Sequence, residues 1–348
     1  MYNTVYLKKG KEESLGRFHP WVFSGAIHHI EGRPEEGDVV RILSADGRFL
    51  AVGHIQIGSI AVRVLSFEDI TIDRSFWYQR LSAAYDVRKS IFPQWADGNK
   101  DGKLTNAFRL VHGEGDGLPG LVIDVYDRTA VMQAHSVGMH VSRHEIADAL
   151  AEVLEGVVEN IYYKSENTLA YKASEDGGNG FLKGGLATAD DIAVENGLRF
   201  HVDWLGGQKT GFFVDQRENR ALLERYSHGR KVLNMFCYTG GFSFYAMRGG
   251  AELVHSVDSS SRAIDITRAN VELNFPGDHV MRRMLRMPSS ISTAWATSMT
   301  SLSLTHQPLP SIKMLCAMRL SAIVSSMPRL SRRFVPEVFS LPSHARKW

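Results

Sequence analysis

Short, partly alternating runs of apolar residues mark the first seventy positions of the chain. Val5–Leu7, Val39–Leu43, Phe49–Ile55 and Ala61–Ser66 are rich in β-branched residues and are separated by Gly, Pro and Asp. Runs of this length and texture predict strands, and several in succession are typical of a small barrel. We therefore expect residues 1–71 to form one β domain.

Helical and strand patterns alternate between residues 72 and 190. Apolar residues at roughly helical spacing predict helices at Ile72–Ile91 and His140–Leu154. Short β-branched runs predict strands at Phe108–Val111, Leu121–Tyr126, Val131–Ala134 and Val157–Lys164. This mixture predicts a compact α+β module over residues 72–190.

A third pattern begins at Ile192. Two short runs, Ile192–Glu195 and Leu198–Val202, flank Asn196-Gly197, a pair that strongly favours a two-residue hairpin turn. The following segments predict a helix, strand, helix, strand and helix at Val214–Tyr226, Lys231–Phe236, Phe242–Met247, Leu253–Val257 and Ser261–Asn274. This series is typical of the first half of a doubly wound α/β domain over residues 191–279.

Two features of this third part indicate a ligand. Gly240 and Gly241 lie where a strand enters a helix, so backbone N–H groups can approach a polar ligand closely. Asp258 ends the next strand, where a carboxylate can accept the hydroxyls of a ribose. The alternative is a simple glycine turn with a helix N-cap. A dinucleotide is disfavoured because the Gly-x-Gly-x-x-Gly pattern is lacking.

Charge and composition set residues 280–348 apart from the rest. This tail has ten Lys or Arg and one acid, Glu337, which leaves 30 basic and 37 acidic residues in 1–279. It contains neither glycine nor tyrosine, although the chain has 31 Gly and 11 Tyr. A nucleic-acid-binding arm is one interpretation. Such arms are rich in Lys and Gly, however, whereas this tail is rich in Ser, Met, Leu and Arg.

Several function classes are disfavoured by what the sequence lacks. Two cysteines, Cys237 and Cys316, are too few for a disulfide framework and fit a cytoplasmic protein. There is no run of about 18 uncharged apolar residues, so no membrane span is expected. The N-terminus lacks the pattern of a secretory signal. The 14 histidines show no metal-ligand spacing, so we expect no metal, and His19 before Pro20 is read as part of a turn.

Four motifs in sequence order resemble one family. They are Gly211-Phe-Phe-Val-Asp-Gln-Arg-Glu-Asn-Arg, Asn234-Met-Phe-Cys-Tyr-Thr-Gly-Gly-Phe, Ser256-Val-Asp-Ser-Ser and Ala269-Asn-Val-Glu-Leu-Asn. Together they resemble the bacterial large-subunit (23S) ribosomal RNA cytosine-C5 methyltransferases. Arg17-Phe-His-Pro-Trp-Val-Phe-Ser-Gly resembles that family's N-terminal PUA domain, and the segment from Phe108 to Asp124 resembles its central module. The resemblance extends from about residue 5 to residue 279.

The resemblance implies a fold, a cofactor and a set of site residues. The fold would be α/β, with a PUA-like β-barrel, a central α+β module and an incomplete Rossmann-like methyltransferase domain. The cofactor would be S-adenosylmethionine, its methionine end surrounded by Asn234, Phe236, Tyr238, Thr239, Gly240 and Gly241. Asp258 would hold the ribose, with Asp215, Gln216 and Arg217 beside the pocket. A surface salt bridge of Arg217 with Glu218 or Glu224 is the alternative for that residue.

Ribosomal RNA is the partner that the resemblance implies. Lys8, Lys9, Lys11 and Arg17, with Trp21 and Phe23 nearby, would give RNA a basic and partly aromatic face. The alternative is a solvated strand edge with Trp21 in a core. The sequence leaves the oligomeric state open, with a homodimer among the alternatives.

Two later family motifs do not occur in the chain: an Asp-Pro-Pro strand end, and a Ser-Cys-Ser strand end with the nucleophilic cysteine. Cys237 lies beside the cofactor turn, where packing is the favoured role. In a reading frame shifted by one base, Leu304-Thr-His-Gln-Pro-Leu-Pro can read Leu-Asp-Pro-Pro-Ala-Phe-Ala. Glu337-Val-Phe-Ser-Leu-Pro-Ser-His-Ala-Arg can likewise read Gly-Gly-Ile-Leu-Phe-Thr-Phe-Ser-Cys-Ser. We therefore hypothesise a frameshift near codons 275–281.

The hypothesis has consequences for both structure and activity. Loss of the later strands should leave the strand Lys231–Phe236 with an unpaired edge, weaken cofactor binding and abolish turnover. A non-catalytic RNA-binding protein is the second interpretation, and an NAD-dependent oxidoreductase, disfavoured by its glycine pattern, is the third.

Overall fold

The computed structural model describes residues 2–92, 105–169, 178–186 and 192–277, together with the backbone of the two strands at 283–286 and 301–304. The chain divides into two compact units, Met1–Arg217 and Glu218–Trp348. The first unit contains the N-terminal β domain and the central module, and the second contains a parallel sheet.

Six strands form the N-terminal sheet, in the order β2-β6-β5-β4-β1-β3. They are β1 (Asn3–Leu7), β2 (Trp21–Phe23), β3 (Ile27–Glu31), β4 (Val39–Leu43), β5 (Phe49–Ile55) and β6 (Ile60–Ser66). Alternating residues such as Val5, Leu7, Val40 and Ile42 point into one core, which explains why the apolar pattern predicted four of the strands correctly. A one-turn helix, α1 (Glu13–Gly16), lies between β1 and β2.

The strands β2 and β3 were not predicted, for two different reasons. β2 has only three residues and follows Pro20 directly. β3 is an edge strand with the sequence Ile-His-His-Ile-Glu, and four of its five residues are exposed. Apolar alternation arises where one face of a strand is buried, and β3 has no such face.

The central module has a five-stranded sheet in the order β11-β10-β9-β8-β7. Its strands are β7 (Ala107–His112), β8 (Leu121–Tyr126), β9 (Thr129–Ala134), β10 (Asn160–Tyr163) and β11 (Gly180–Lys183). Its helices are α2 (Arg74–Ile91), α3 (Val137–Val141) and α4 (Arg143–Val153). The predicted helix at His140–Leu154 is thus a short helix and a longer one that meet at Ser142. Trp77 and Leu81 of α2 are fully buried with Leu110, Ile123 and Leu150.

The predicted hairpin is confirmed. β12 (Ile192–Glu195) pairs antiparallel with β13 (Leu198–His201), and Glu195 pairs with Leu198 across the turn. Asn196 and Gly197 both have positive φ, at 48° and 81°, as a two-residue turn of this type requires.

The second unit is built on a four-stranded parallel sheet in the order β16-β15-β14-β17. Its strands are β14 (Lys231–Met235), β15 (Leu253–Asp258), β16 (Arg283–Arg286) and β17 (Ser301–Leu304). Its helices are α5, which spans Arg217–Tyr226 and thus begins at the unit boundary, α6 (Gly241–Arg248) and α7 (Ser261–Asn274). The arrangement confirms the Rossmann-like strand–helix–strand series that the sequence predicted.

The expectation of an unpaired edge at Lys231–Phe236 is wrong. β14 pairs with β15 on one side and with β17 on the other, and Val232 to Met235 are opposite Ser301 to Leu304. Four residues of the tail therefore supply the parallel backbone partner that β14 needs. Apart from β16 and β17, the predicted aberrant tail lies outside the described residues.

Candidate functional site

The turn between β14 and α6 has an unusual backbone. Phe236, Tyr238 and Gly240 all have positive φ, at 59°, 50° and 86°. Bulky residues rarely adopt this conformation, and each such residue costs about 1–3 kcal/mol unless its surroundings hold it there. Two backbone hydrogen bonds fix the turn, from Cys237 N–H to the Val257 carbonyl (3.0 Å) and from Gly240 N–H to the Cys237 carbonyl (2.9 Å).

Gly240 is required by space as well as by backbone conformation. A Cβ at this position would lie 2.5 Å from Cζ of Phe244 and 2.7 Å from Cγ2 of Thr267. Gly240 is the N-cap of α6, and Gly241 is the buried first residue of that helix. The start of α6 can therefore approach α7 closely.

Asp258 is held at the end of β15 by two backbone donors. One carboxylate oxygen accepts the N–H of Tyr238 (2.8 Å), and the other accepts the N–H of Ser260 (2.9 Å). Each carboxylate oxygen can accept a second hydrogen bond, so the pair can still receive two hydroxyl groups of a ligand. The first of these contacts joins Asp258 directly to the turn that follows β14.

Asn234 begins a buried chain of polar side chains. Its amide donates to the Ser243 hydroxyl (2.9 Å), which lies 2.6 Å from the Ser256 hydroxyl. Among the described residues, Asn234 Oδ1 and Thr239 Oγ1 are buried without a hydrogen-bond partner. Unsatisfied buried polar atoms are costly, so these two are suited to a polar ligand.

Two residues of α7 also hold the turn, and neither was among the predicted site residues. The Thr267 hydroxyl lies 3.0 Å from the Tyr238 carbonyl, and the Asn270 amide donates to the Thr239 carbonyl at 3.2 Å. Both side chains are fully buried. Asn270 belongs to the family-like motif Ala269-Asn-Val-Glu-Leu-Asn, which could have indicated it, whereas nothing in the sequence marks Thr267.

Seven of the predicted cofactor residues therefore lie together in the second unit. They are Asn234, Phe236, Tyr238, Thr239, Gly240, Gly241 and Asp258. Their chemistry fits S-adenosylmethionine: a carboxylate with free acceptor capacity for the ribose, unsatisfied buried polar atoms, and a glycine turn at a helix start. A ligand without phosphates needs no more glycines than this turn provides.

The other three predicted residues, Asp215, Gln216 and Arg217, belong to the first unit. They lie at a short 3-10 turn (Val214–Gln216) and at the first residue of α5. Asp215 is exposed, and the guanidinium of Arg217 lies over the ring of Phe92 at 4.6 Å from its centroid. That cation–π contact is a structural role that the sequence did not indicate.

The segment that leads to these three residues is anchored by a buried carboxylate. Asp124, fully buried on β8, accepts two hydrogen bonds from Arg109 (2.8 and 2.9 Å) and one from the Thr210 hydroxyl (2.6 Å). The Tyr126 hydroxyl lies 2.9 Å from Thr210 Oγ1 and donates to the Phe212 carbonyl (3.2 Å). Burial and the nearby Asp124 raise the pKa of Tyr126 well above 10. The network ties residues 210–212 to the central sheet.

Cys237 does not have the properties of a nucleophile. Its side chain is buried, and burial together with the charge of Asp258 raises its pKa to about 12. The thiolate, which is the reactive form, is therefore scarce at neutral pH. This agrees with the packing role expected from the sequence.

The predicted RNA-binding residues lie in the N-terminal domain, with differing surroundings. Lys8, Lys9, Lys11 and Arg17 are exposed, although the Lys8 ammonium also donates to the Gly25 carbonyl (2.9 Å). A cavity of about 330 Å³ is lined by residues that include Lys11, Ser14 and Phe23. Trp21 is half-buried, and its indole N–H donates to Glu114 of the central module at 2.8 Å. Trp21 therefore has a structural contact, although it is not in the core that the alternative interpretation gave it.

The described residues contain no group of three or more His, Cys, Asp or Glu placed to hold a metal ion. In the same part of the chain, no helix combines the length and the apolar character needed to cross a membrane.

Comparison with known proteins gives two family matches. Residues 5–67 match the PUA-like domain, and residues 109–302 match the S-adenosylmethionine-dependent methyltransferase family. The second match ends beyond residue 279, within the segment of unusual composition.

Individual relatives are consistent with these matches. Ribosomal RNA large subunit methyltransferase I of Pseudoalteromonas translucida is 41% identical over 276 residues, which cover 79% of this chain and 67% of the relative. The protein of the same name from Tolumonas auensis is 40% identical over 278 residues, with the same coverage. The crystal structure of SMU.776 complexed with SAH has a TM-score of 0.66 at 22% identity, over 92% of this chain and 73% of that one. This last likeness concerns the fold alone.

Proposed function

The chain belongs to the family of S-adenosylmethionine-dependent methyltransferases, and on that premise we propose that its gene encodes a cytoplasmic methyltransferase of 23S ribosomal RNA that forms 5-methylcytosine. Two relatives that match 79% of the chain are named ribosomal RNA large subunit methyltransferase I. The PUA-like domain and the low cysteine content support an intracellular RNA substrate.

The principal observation behind this proposal is the hydrogen bond from Tyr238 N–H to Asp258. It joins the positive-φ turn after β14 to the acid at the end of β15, so that the carboxyl ends of two neighbouring strands are held together. In the proposed role, Asp258 accepts the ribose hydroxyls. Asn234, Phe236, Tyr238, Thr239, Gly240 and Gly241 surround the methionine end. Asp215, Gln216 and Arg217 of the first unit stay cofactor residues that the resemblance implies.

S-adenosylmethionine, when bound, supplies an electrophilic methyl group. Cytosine C5 is a weak nucleophile, and addition of a thiolate to C6 is the established chemical means of activating it. A base must then remove the C5 proton so that the thiol can leave. Cys237, with its raised pKa and its buried position, is unsuited to this step. Cys316 lies outside the described residues, and its neighbours Leu315 and Ala317 do not form the family's Ser-Cys-Ser motif. We propose that the chain as written binds cofactor and RNA and does not turn over.

The missing nucleophile is explained by a frameshift near codons 275–281. The composition break and the two motifs recovered in the shifted frame support this explanation. The backbone adds a third argument, because β17 ends at Leu304, where the shifted frame reads Leu-Asp-Pro-Pro. Leu304 is paired with Met235, just before the cofactor turn. A carboxylate restored at the next position would thus follow a strand that ends at the same sheet edge.

Resequencing the DNA for residues 270–348 tests the frame, and a methylation assay tests the function. We expect the frame-corrected protein to transfer labelled methyl groups to cytosine C5 of 23S ribosomal RNA, and the present chain to transfer none. Methylation by the present chain would contradict its proposed inactivity. A frame-corrected protein that modifies another base or another RNA would contradict the proposed substrate.

A non-catalytic RNA-binding protein is the second candidate. It is favoured by the separate core of the first unit, which contains the PUA-like domain and the central module. An intact frame together with salt-dependent RNA binding by the full chain would support it. The division into residues 1–71, 72–190, 191–279 and 280–348 stays a prediction, as does a homodimer.

A further inference from the structure

Phe18 has a backbone conformation that normally belongs to glycine. α1 ends in a Schellman motif, in which the Phe18 N–H bonds to the Leu15 carbonyl (2.9 Å) and the His19 N–H bonds to the Ser14 carbonyl (3.0 Å). In this motif the residue that carries the first of the two donors must have positive φ, and Phe18 has a φ of 60°. Glycine usually fills this position, because a side chain there is strained.

Packing does not compensate for this strain. The Phe18 side chain is 72% exposed, and its ring makes an edge-on contact with Phe67, with centroids 5.1 Å apart. Phe23, which is 49% exposed, lies nearby in sequence and belongs to an aromatic group with His19 and Trp21. A large apolar side chain that is both strained and exposed suggests a contact with a partner.

The charges nearby indicate the chemistry of that partner. Lys8, Lys9, Lys11 and Arg17 are all exposed and lie within ten residues before Phe18. Glu12 and Glu13 are the acids of the same stretch, so cations outnumber anions there by four to two. A polymer that combines aromatic faces with regularly spaced negative charges complements such a surface, and single-stranded RNA has both.

We propose that Phe18 is a base-stacking residue that binds an unpaired nucleotide of RNA, with the neighbouring cations on the adjacent phosphates. The proposal rests on the proposed RNA-binding function and narrows it to single-stranded or locally unstacked RNA. Bases inside a duplex are stacked on one another and offer no free face to a side chain.

The test measures binding of the full chain to a fluorescent 12-nucleotide unstructured RNA and to a duplex of the same length. Phe18→Ala should weaken single-strand binding about 5- to 100-fold, as expected for the loss of one stacked base. Phe18→Trp should retain binding. The salt dependence should be unchanged in Phe18→Ala, whereas Lys11→Ala should lower the slope of log K against log salt by about 0.7.

Phe18→Gly separates a binding role from a structural one. Because glycine relieves the strained φ, its melting temperature should equal or exceed that of the wild type, while RNA affinity falls as in Phe18→Ala. Tyr78→Ala, which removes a partly exposed aromatic residue from α2, is the matched control and should leave RNA binding unchanged.

Three outcomes would overturn the proposal. Wild-type affinity in Phe18→Ala would remove Phe18 from the interface but leave RNA binding by the domain intact. Equal loss of duplex and single-strand binding, with a lowered melting temperature in Phe18→Gly, would make Phe18 structural. A wild-type chain that binds neither RNA would refute this proposal together with the proposed RNA-binding function.

Discussion

The Thr267 hydroxyl lies 3.0 Å from the Tyr238 carbonyl, and this contact joins the middle of α7 to a turn whose backbone is strained at Phe236 and Tyr238. The same hydroxyl lies 2.8 Å from the Ala263 carbonyl, one helical turn earlier. Its proton is thus shared between helix and turn. Since the turn also meets Asp258, the position of the predicted cofactor site depends on α7 as well as on its own strands.

We expect Thr267→Val to weaken S-adenosylmethionine binding about 5- to 10-fold, because loss of one hydrogen bond of about 1 kcal/mol frees the strained turn. Thr267→Ser, which retains the hydroxyl, should restore most of the affinity. Isothermal titration calorimetry measures the binding, and thermal melting measures the stability.

Ser227→Ala is the control for that experiment. Ser227 is also fully buried in the second unit, and its hydroxyl donates to the Leu223 carbonyl at 2.7 Å. It should lower the melting temperature without changing cofactor affinity. An equal loss of affinity in both variants would show that Thr267 acts only through general stability.

His54 should make the stability of the first unit depend on pH. Burial lowers its pKa from 6.5 to about 4, and neither ring nitrogen has a hydrogen-bond partner in the described structure. Trp77 stacks on the His54 ring. Gly138 packs so closely against this ring that an added Cβ would lie 2.1 Å from His54 Cγ. Glu145 of α4 accepts the indole N–H of Trp77 at 3.2 Å.

The direction of this pH dependence follows from proton uptake by His54. Between about pH 6.5 and 4 the unfolded chain binds a proton at His54 and the folded chain does not, so stability is lost as the pH falls through this window. The full effect is about 3 kcal/mol. Urea denaturation at several pH values should show this slope, and His54→Phe should flatten it. His29→Phe, at an exposed histidine, should leave the slope unchanged. A slope that persists in His54→Phe would assign it to other groups.

Cys237 should resist alkylation in the folded protein. With a pKa of about 12, roughly one thiol in ten thousand is ionised at about pH 8. Iodoacetamide labelling followed by mass spectrometry should leave Cys237 unmodified in buffer and modified in urea. Rapid labelling of Cys237 in the native chain would contradict the packing role.

Removal of the Arg109 guanidinium should be strongly destabilising. Arg109→Leu leaves the carboxylate of Asp124 buried without its main partner, and a cost of about 3–5 kcal/mol is expected. Thr210→Val should lower the stability less, because Arg109 still provides two of the three hydrogen bonds to the Asp124 carboxylate. Lys89→Ala breaks an exposed pair with Asp86 and should change stability by under about 1 kcal/mol. Equal effects of Arg109→Leu and Lys89→Ala in urea denaturation would contradict the importance of burial.

The sequence predicted elements whose cause is local. Asn196-Gly197 specified its hairpin because both positions need positive φ, and Gly240 marked the start of α6 for the same reason. The resemblance and the position of Asp258 after a strand predicted seven cofactor residues, which the structure places in the second unit and whose role stays a prediction.

Features that depend on packing were not predictable. A glycine usually takes the left-handed conformation that ends a helix, and Gly16 is the glycine available at the end of α1. The left-handed residue is nevertheless Phe18. Thr267 is an ordinary helical residue until α7 packs against the turn. The partner of β14 comes from residues 301–304, which are far away in sequence and lie in a segment of unusual composition. Predicting these features requires knowledge of how distant parts of the chain pack together.

The hydrogen bond between Trp21 and Glu114 joins residues 93 positions apart. Together with the packing of His54 on Trp77, it makes the N-terminal domain and the central module one compact unit instead of two flexibly linked domains. A strand of RNA captured near Phe18 would then be delivered in a fixed orientation to the surface of the module. Because the two parts are already fixed relative to each other in the folded protein, RNA binding would not have to restrict a flexible linker. A low affinity of the N-terminal domain for RNA would then suffice for binding.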